Sequence, residues 1–326
     1  MGGTYEQSFI FGQQQKRLFL QQMASNPLDV LVIGGGITGA GIALDASARG
    51  LNIGLVEMND FASGTSSRST KLVHGGLRYL KQAEVKLVKE VGRERALLHR
   101  NAPHLVTPAP MLLPIYKKGS MGYFTASIGL TIYDRLAGVM PKERRVMFRK
   151  EKTEQMEPLL RKDNLVGSGY YYEYMTDDAR LTLDVLKTAH AQGARLVNYA
   201  KVVDFIYEAG VMTGVIVLDR VSGEQYEIYA HKIVNAAGPW VDELRKADKS
   251  LKGKKKLLLT KGVHLVFNRK KLPVNQSIYC DTPDGRMIFI IPRGDKTYVG
   301  TTDTVYEGDI AEPRTTSQDR IICLTP

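Results

Sequence analysis

Three glycines near the N-terminus have the spacing of a turn that binds phosphate groups. Gly34, Gly36 and Gly39 fit the pattern G-x-G-x-x-G, and Thr38 lies inside it. The first glycine permits a tight turn, the second lets the backbone approach a pyrophosphate, and the third lets helix and strand pack closely. The free amide groups at the start of the following helix would then face the phosphates. The pattern therefore predicts a dinucleotide site, with Thr38 among its contacts.

An acidic residue stands where such a site needs one. Glu57 follows the glycine turn by about 20 residues, the spacing at which a carboxylate accepts hydrogen bonds from the adenosine ribose. Its negative charge would repel a 2′-phosphate, which disfavours NADP. The turn and Glu57 together do not separate FAD from NAD.

The elements that must position these residues can be read from the apolar pattern. Residues 29–33 are predicted as a buried parallel strand, residues 37–49 as a helix that Gly50 ends, and residues 52–57 as the next strand, which completes a βαβ unit. A second helix is predicted over residues 178–192, and further strands near 195–199, 214–219, 225–229, 262–267, 287–292 and 297–301. Residues 115–165 show no clear strands, and the prolines from 103 to 114 interrupt the pattern before them.

Composition narrows the class of protein. The chain has 326 residues, 43% of them hydrophobic and 24% charged, as in a globular protein of about two domains. Only two cysteines occur, so a disulfide framework or a metal site is not expected. No apolar run reaches the length of a membrane helix, and the N-terminus lacks the apolar region of a secretion signal. The net charge of +11 favours anionic partners, although no motif for binding nucleic acid accompanies it.

A longer set of motifs resembles one family. Residues 64–80 read GTSSRSTKLVHGGLRYL, and further matching segments lie at residues 177–181, 235–241, 261–264 and 300–304. Together with the glycine turn they resemble the FAD-dependent (aerobic) glycerol-3-phosphate dehydrogenases, from residue 29 to about residue 309. The resemblance implies FAD rather than NAD as the cofactor.

The resemblance also implies a fold and a division into domains. We expect an α/β fold, with a Rossmann-like FAD-binding domain of the glutathione-reductase or D-amino-acid-oxidase type, interrupted by a mixed-sheet substrate or cap domain. Residues 1–27 would form an N-terminal helical extension. Residues 28–110 and 166–245 would bind FAD, and residues 111–165 and 246–310 would form the cap. Residues 311–326 would be an atypical tail, with the resemblance lost from residue 317.

Further cofactor contacts follow from the family motifs. The hydroxyl and ammonium groups of the 64–80 segment suit a pyrophosphate and the edge of a flavin ring, and in the family this loop lies along FAD. Later positions match family residues whose backbone approaches the adenine. The implied contacts are Thr65, Ser66, Ser67, Lys71, Leu72, Val202, Ala237 and Gly238.

The implied substrate is the dianion glycerol 3-phosphate, which needs fixed cations and hydroxyl donors. Arg78 is the first candidate because a guanidinium can bind two phosphate oxygens at once; Tyr79 and Lys261 are the others. Oxidation to dihydroxyacetone phosphate requires a base for the hydroxyl proton, and histidine suits it. His264 is the preferred base and His74 the second choice; the sequence does not decide between them.

The resemblance further implies that electrons pass to quinone. Alternatives are an oxidase that uses oxygen, a non-catalytic flavin-binding fragment, and an NAD-dependent dehydrogenase. A basic stretch covers residues 251–271, and further basic residues at 142–152 follow an apolar run over 121–140. This pattern has two interpretations: a cytoplasmic protein peripheral on an anionic membrane, or a solvated charged face beside a buried helix. A homodimer is a further possibility. Family members are longer than 326 residues, so we expect weak FAD binding and no turnover from a chain of this length.

Overall fold

The protein is described here by a computed structural model, which divides into two compact units. The first unit comprises Met1–Ser69 and Asp178–Leu258, and the second comprises Thr70–Asp177 and Leu259–Pro326. The structure describes residues 13–74, 84–119, 121–136, 139–249, 257–282 and 285–324.

The described residues form eight α-helices and sixteen strands. The α-helices are α1 (Gln13–Ser25), α2 (Ile37–Ala48), α3 (Val85–Asn101), α4 (Tyr123–Leu136), α5 (Lys150–Met156), α6 (Asp178–Ala191), α7 (Val241–Ala247) and α8 (Ser317–Leu324). The strands are β1 (Leu28–Ile33), β2 (Ile53–Val56), β3 (Leu72–Val73), β4 (Thr107–Tyr116), β5 (Val146–Arg149), β6 (Leu165–Met175), β7 (Arg195–Val197), β8 (Ala200–Glu208), β9 (Val211–Asp219), β10 (Gln225–Asn235), β11 (Thr260–Lys261), β12 (His264–Asn268), β13 (Ser277–Asp281), β14 (Met287–Arg293), β15 (Lys296–Gly300) and β16 (Thr304–Val305).

The first unit is built on a six-stranded sheet with the order β7-β2-β1-β10-β9-β8. Strands β7, β2, β1 and β10 run parallel, whereas β9 and β8 are antiparallel to their neighbours. Leu31 and Ile33 belong to one apolar cluster and Val32 to another, because alternate residues of a strand point to opposite faces. The predicted βαβ unit is confirmed.

The N-terminal helix is part of this unit. Phe19, Leu20 and Met23 of α1 are buried in the same cluster as β1, β8 and β9, and Lys16 forms an ion pair with Asp219. The predicted helical extension therefore contributes core residues to the first unit.

The second unit contains an eight-stranded mixed sheet, where the sequence showed no clear strands over 115–165. Its order is β12-β15-β14-β13-β4-β6-β3, and β5 also pairs with β6. Strand β4 holds Pro108, Pro110 and Pro114 and still pairs with β6 along its whole length. The three prolines are separated by even numbers of residues, so the N–H groups that they lack would all point to the same edge of the strand. That edge faces β13, which pairs with only two residues of β4.

The two compact units have other boundaries than the predicted domains. Because β4 and β6 pair with each other, residues 70–74, 84–110 and 166–177 lie in the second unit and not with the glycine turn. Residues 246–249, 257 and 258 lie in the first unit, where the Leu257 N–H donates to the Asp242 carboxylate at 2.8 Å. The described residues of the predicted tail, 311–324, lie in the second unit.

A buried polar network joins α3 and α4 to β6. Arg95 donates from Nη1 to Glu173 Oε2 at 2.6 Å and to the Tyr133 hydroxyl at 2.9 Å. Tyr133 in turn donates to Glu173 Oε1 at 2.8 Å. Arg95, Glu173 and Tyr133 are each at most 2% exposed, so loss of one partner would leave a buried charge uncompensated.

We expect Arg95→Leu to lower the free energy of unfolding by about 3–5 kcal/mol, the usual cost of breaking a buried ion pair from one side. Urea unfolding followed by circular dichroism would measure the loss. Arg49→Leu is the control, because the Arg49–Asp45 pair is exposed and its removal should leave the unfolding midpoint almost unchanged. Equal midpoints for the two variants would contradict the assignment.

Candidate functional site

The glycine turn between β1 and α2 is tightly enclosed by other parts of the first unit. A Cβ atom on Gly34, which has φ +117°, would lie 2.5 Å from the Ala236 carbonyl oxygen. A Cβ on Gly39 would lie 1.9 Å from the Gly34 carbonyl oxygen, and one on Gly36 would lie 3.0 Å from Ser66 Oγ. The first and third glycines are therefore required by backbone contacts, as the fingerprint predicts.

The start of α2 receives its cap from a distant residue. Gly36 occupies the N-cap position and has no side chain to accept a helical amide. The Ile37 N–H donates instead to Ser66 Oγ at 2.9 Å. The predicted loop thus lies against the helix N-terminus, where the positive end of the helix dipole and the Ser66 hydroxyl proton suit an anionic group.

The Glu57 carboxylate is fixed at the end of β2 by backbone amides. The Gly35 N–H donates to Oε2 at 2.7 Å and the Asn59 N–H donates to Oε1 at 2.8 Å. Each carboxylate oxygen can accept more than one hydrogen bond. The carboxylate therefore keeps the capacity to accept ribose hydroxyls while its orientation is set.

A cavity of about 470 Å³ lies over this turn within the first unit, inside the usual range for sites that hold small molecules or cofactors. The predicted contacts that line it are Gly34, Gly36, Thr38, Glu57, Thr65, Ser66, Val202, Ala237 and Gly238. Gly39 lies beneath it and sets the helix–strand distance, whereas Ser67 is not among the lining residues. The residues present fit the adenosine and pyrophosphate half of a dinucleotide.

Some lining residues were missed by the sequence analysis. Trp240, Lys201 and Glu243 line the same cavity. Trp240 ends the short 3-10 turn Gly238–Trp240, which brings its ring to 3.2 Å from where a Cβ of Gly64 would lie. Trp240 belongs to the family motif at residues 235–241, so the sequence does point to this position, although the motif alone assigns no role to its side chain.

The remaining predicted cofactor contacts lie in the second unit. Lys71 has φ +57°, and its carbonyl oxygen accepts a hydrogen bond from the Thr176 N–H at 2.9 Å. Leu72 pairs with Met175 where β3 meets β6. Arg78, the first candidate for binding phosphate, and Tyr79 lie outside the described residues.

Both candidate histidines lie against the same sheet of the second unit. His264 begins β12 and pairs with Gly300 of β15, which pairs in turn with Phe289 of β14. The ring of Phe289 lies 5.8 Å from the ring of His74, between centroids. Burial lowers the pKa of His264, which favours the neutral imidazole that a base requires.

Lys261 is buried and paired. Its Nζ lies 2.7 Å from Asp319 Oδ2 of α8 and donates to the Arg314 carbonyl oxygen at 2.8 Å. Lys261, together with the Thr316 amide, lowers the pKa of Asp319 to about 2. A role for Lys261 in binding substrate phosphate would have to compete with this ion pair; it stays a prediction.

In the described part of the chain, no group of histidine, cysteine, aspartate or glutamate residues could hold a metal ion. Within those residues, none of the helices has both the length and the apolar character needed to cross a membrane.

A family model described as "FAD dependent oxidoreductase" matches residues 29–324. The chain belongs to this family. The match confirms the predicted fold and names the predicted cofactor, FAD. The matched residues include most of the predicted 311–326 tail.

Individual relatives agree with the predicted resemblance. The aerobic glycerol-3-phosphate dehydrogenase of Bacillus subtilis (strain 168) is 57% identical over 310 residues, which cover 95% of this chain and 56% of that protein. The solved glycerol-3-phosphate dehydrogenase from Bacillus halodurans, complexed with FAD, has a TM-score of 0.80 and 50% identity, and the match covers 97% of this chain and 55% of that one. The L-alpha-glycerophosphate oxidase from Mycoplasma pneumoniae, matched over 91% of this chain and 77% of its own, shares the fold with a TM-score of 0.66 at 18% identity. This chain spans about half the length of the curated relatives it matches.

We expect Gly39→Ala to weaken FAD binding at least about 10-fold, because the added methyl group would push α2 away from β1, and overpacking of this kind costs about 1–3 kcal/mol. Gly41→Ala is the matched control in the same helix, since a Cβ there meets nothing within 4 Å. Titration of the apoprotein with FAD would measure both affinities. Equal affinities for the two variants would contradict the role of Gly39.

Proposed function

We propose that this chain binds FAD and takes part in the oxidation of sn-glycerol 3-phosphate to dihydroxyacetone phosphate. The observation that carries the proposal is a cavity fitted to the adenosine half of a dinucleotide in a chain 57% identical to an aerobic glycerol-3-phosphate dehydrogenase over 310 residues. The chain covers 56% of that relative, so the activity of the whole protein is a proposal here.

Three groups in the first unit would hold the cofactor. The amides at the start of α2 and the Ser66 hydroxyl would bind the pyrophosphate, and Glu57 would accept hydrogen bonds from the ribose. When bound, FAD supplies the acceptor for the hydride that leaves C2 of the substrate.

His264 is the proposed base for the C2 hydroxyl proton. Neutral imidazole accepts that proton at a ring nitrogen as the hydride leaves carbon, so charge and protons balance. Burial lowers the pKa of His264 below its ordinary value of 6.5, and the side chain is therefore neutral at pH 7. His74 is the second candidate, while Arg78 and Tyr79 are proposed to bind the phosphate.

Quinone is the proposed electron acceptor, in keeping with the aerobic dehydrogenases that this chain resembles. Oxygen as acceptor is the alternative, and release of hydrogen peroxide during turnover would distinguish it. An NAD-dependent enzyme would be colourless after purification and would need added NAD.

Bleaching requires only the reduction of FAD by the substrate and not complete turnover, which is not expected from a chain of this length; we therefore expect glycerol 3-phosphate to bleach the visible absorption of the FAD-loaded protein under anaerobic conditions. The rate should fall in acid, because protonated His264 cannot accept a proton. The midpoint of that fall should lie below pH 6.5, since burial lowers the pKa of His264. His264→Asn should lower the bleaching rate at least about 100-fold, in line with the contribution of general bases.

The control variant is His231→Asn, which changes an exposed histidine in the first unit and should bleach at the unaltered rate. Yellow protein that is not bleached at any pH would contradict the catalytic proposal and support a flavin-binding module. Bleaching that is equally fast in His264→Asn would move the role of base to another residue.

We further propose that helix α4 docks on an anionic lipid surface. Its buried side carries Ala126, Leu130 and Tyr133. Phe124, Ile128 and Ile132 recur at four-residue spacing on the opposite side and are 82%, 60% and 41% exposed. Such a stripe is unusual on a helix that faces only water.

The charges of the surrounding chain favour lipid as the occupant. Among the described residues from 117 to 149, the exposed charged side chains are the basic ones Lys117, Lys118, Arg135, Arg144 and Arg149. The two acids of this stretch are turned inward: Glu143 is buried, and the Asp134 carboxylate accepts from the Arg145 N–H at 2.8 Å. Apolar side chains flanked by cations suit the interface of an anionic membrane.

We expect Phe124→Ser together with Ile128→Ser to reduce binding to vesicles that contain an anionic phospholipid. Each large apolar side chain contributes about 1.5–3 kcal/mol when fully buried, so the double variant should bind at least about 10-fold more weakly. Val211→Ser, at an exposed apolar residue of the first unit, is the control. Equal sedimentation of all three proteins with the vesicles would contradict the proposal.

A further inference from the structure

The strand that carries His264 begins where the chain crosses between two sheets of the second unit. Strand β11, which ends at Lys261, belongs to a two-stranded sheet with β16. His264 is the first residue of β12 and pairs with Gly300 of β15 in the eight-stranded sheet. Gly262 and Val263 therefore make the crossing immediately before the proposed base.

A second crossing runs beside the first. The chain leaves β15 at Gly300 and enters β16 at Thr304, so residues 301–303 connect the same two sheets in the opposite order. A Cβ atom on Gly262 would lie 2.5 Å from Thr301 Oγ1, so the two crossings are in close contact. The family motif that begins at Gly300 supplies this second crossing, and the proposed reaction gives that motif no role.

Thr302 joins the two crossings. Its hydroxyl oxygen accepts a hydrogen bond from the Val263 N–H at 3.0 Å, and its own N–H donates to the Val263 carbonyl oxygen at 3.4 Å. The direction of the first bond is fixed, because an amide N–H can only donate. The same hydroxyl lies 3.5 Å from the Lys261 carbonyl oxygen, a longer and weaker contact. Thr302 is 1% exposed and Val263 is 8% exposed, so water does not compete for this bond.

The backbone of Val263 determines where the His264 side chain leaves the chain, because the two residues share a peptide bond. A buried amide that loses its acceptor must move or remain unsatisfied, and either outcome is unfavourable. We propose that Thr302 is a positioning residue, whose hydroxyl holds the crossing before β12 and thereby sets the position of the His264 imidazole. The importance of this for catalysis rests on the proposed function; the position of the imidazole does not.

The position of the imidazole can be measured without substrate. Burial lowers the pKa of His264, so an imidazole that moves toward water should titrate closer to its ordinary value of 6.5. The full chain would be labelled with ¹³C-histidine and titrated by NMR, with His264→Asn used to assign the signal. Thr302→Val, which keeps the shape and removes the hydroxyl, should raise the pKa of His264. Thr302→Ser, which keeps the hydroxyl, should leave that pKa at its wild-type value.

The matched control is Thr297→Val, in the same strand as Gly300. Thr297 is 0% exposed, and its hydroxyl donates to the Leu272 carbonyl oxygen at 2.8 Å. Its replacement removes a buried hydroxyl of the same kind, so the free energy of unfolding should fall by a similar amount in the two valine variants. The pKa of His264 should stay at its wild-type value in Thr297→Val, because that hydroxyl does not contact the crossing.

The second test measures the reaction itself. In FAD-loaded protein, Thr302→Val should lower the maximal rate of anaerobic bleaching by glycerol 3-phosphate by about 10- to 100-fold, since a small displacement of a catalytic group has effects of this size. The substrate concentration at half-maximal rate should change little. The acid midpoint of the rate should move toward pH 6.5 together with the pKa of His264. Thr302→Ser should restore the rate, and Thr297→Val should retain it.

A wild-type pKa of His264 in Thr302→Val would overturn the proposal, and so would an equal rise of that pKa in Thr297→Val. If Thr302→Val does not fold, Gly262→Ala carries the test. That variant keeps the hydroxyl and pushes the crossings apart at Thr301, so it should also raise the pKa, and an unchanged value would overturn the proposal. A raised pKa in protein that glycerol 3-phosphate does not bleach, when the wild type is not bleached either, would support the role of Thr302 and contradict the proposed function.

Discussion

The close approach of α2 to β1 is the contact on which the first unit depends. Gly39 lies so near the Gly34 carbonyl that no side chain can stand between them. This contact places the start of the helix at the end of the strand. Other segments then close around the turn: the Ala236 carbonyl lies against Gly34, the Glu57 side chain against Gly35, and the Ser66 hydroxyl against Gly36.

The turn therefore organises the cavity as well as the helix. Ser66 supplies the cap that Gly36 cannot provide, and the Gly35 amide orients the Glu57 carboxylate. Ala236, Glu57 and Ser66 are far apart in sequence. They line the same part of the cavity because each packs against a glycine of the turn, which has no side chain. The glycines are therefore required for close packing, and this packing places the groups that would bind phosphate and ribose.

Sequence reasoning found the elements whose signals are local. The run from β1 through α2 to β2 was predicted within a residue or two, since buried parallel strands and glycines at fixed spacing are distinctive. The break between β7 and β8 was missed because Tyr199 there has φ +51°, a conformation that is usually found at glycine or asparagine. Strand β4 was missed because its prolines argue against a strand unless the pairing partner on each side is known.

The residues of the candidate site also fall into those that the sequence predicts and those that it does not. The residues whose backbone or hydroxyl groups meet the cavity were found from motif spacing, whereas burial of charge could not be read from the sequence. Lys261 belongs to a run of basic residues that reads as solvated, and its pairing with Asp319 depends on α8, more than 50 residues later.

The position of Trp240 has a practical consequence. It is the one tryptophan of the 326-residue chain, and its indole forms part of the cavity wall. The tryptophan fluorescence of the protein therefore originates at the wall of this cavity. An isoalloxazine or adenine group arriving nearby would alter that emission, so occupancy of the cavity has an optical signature that needs no added label.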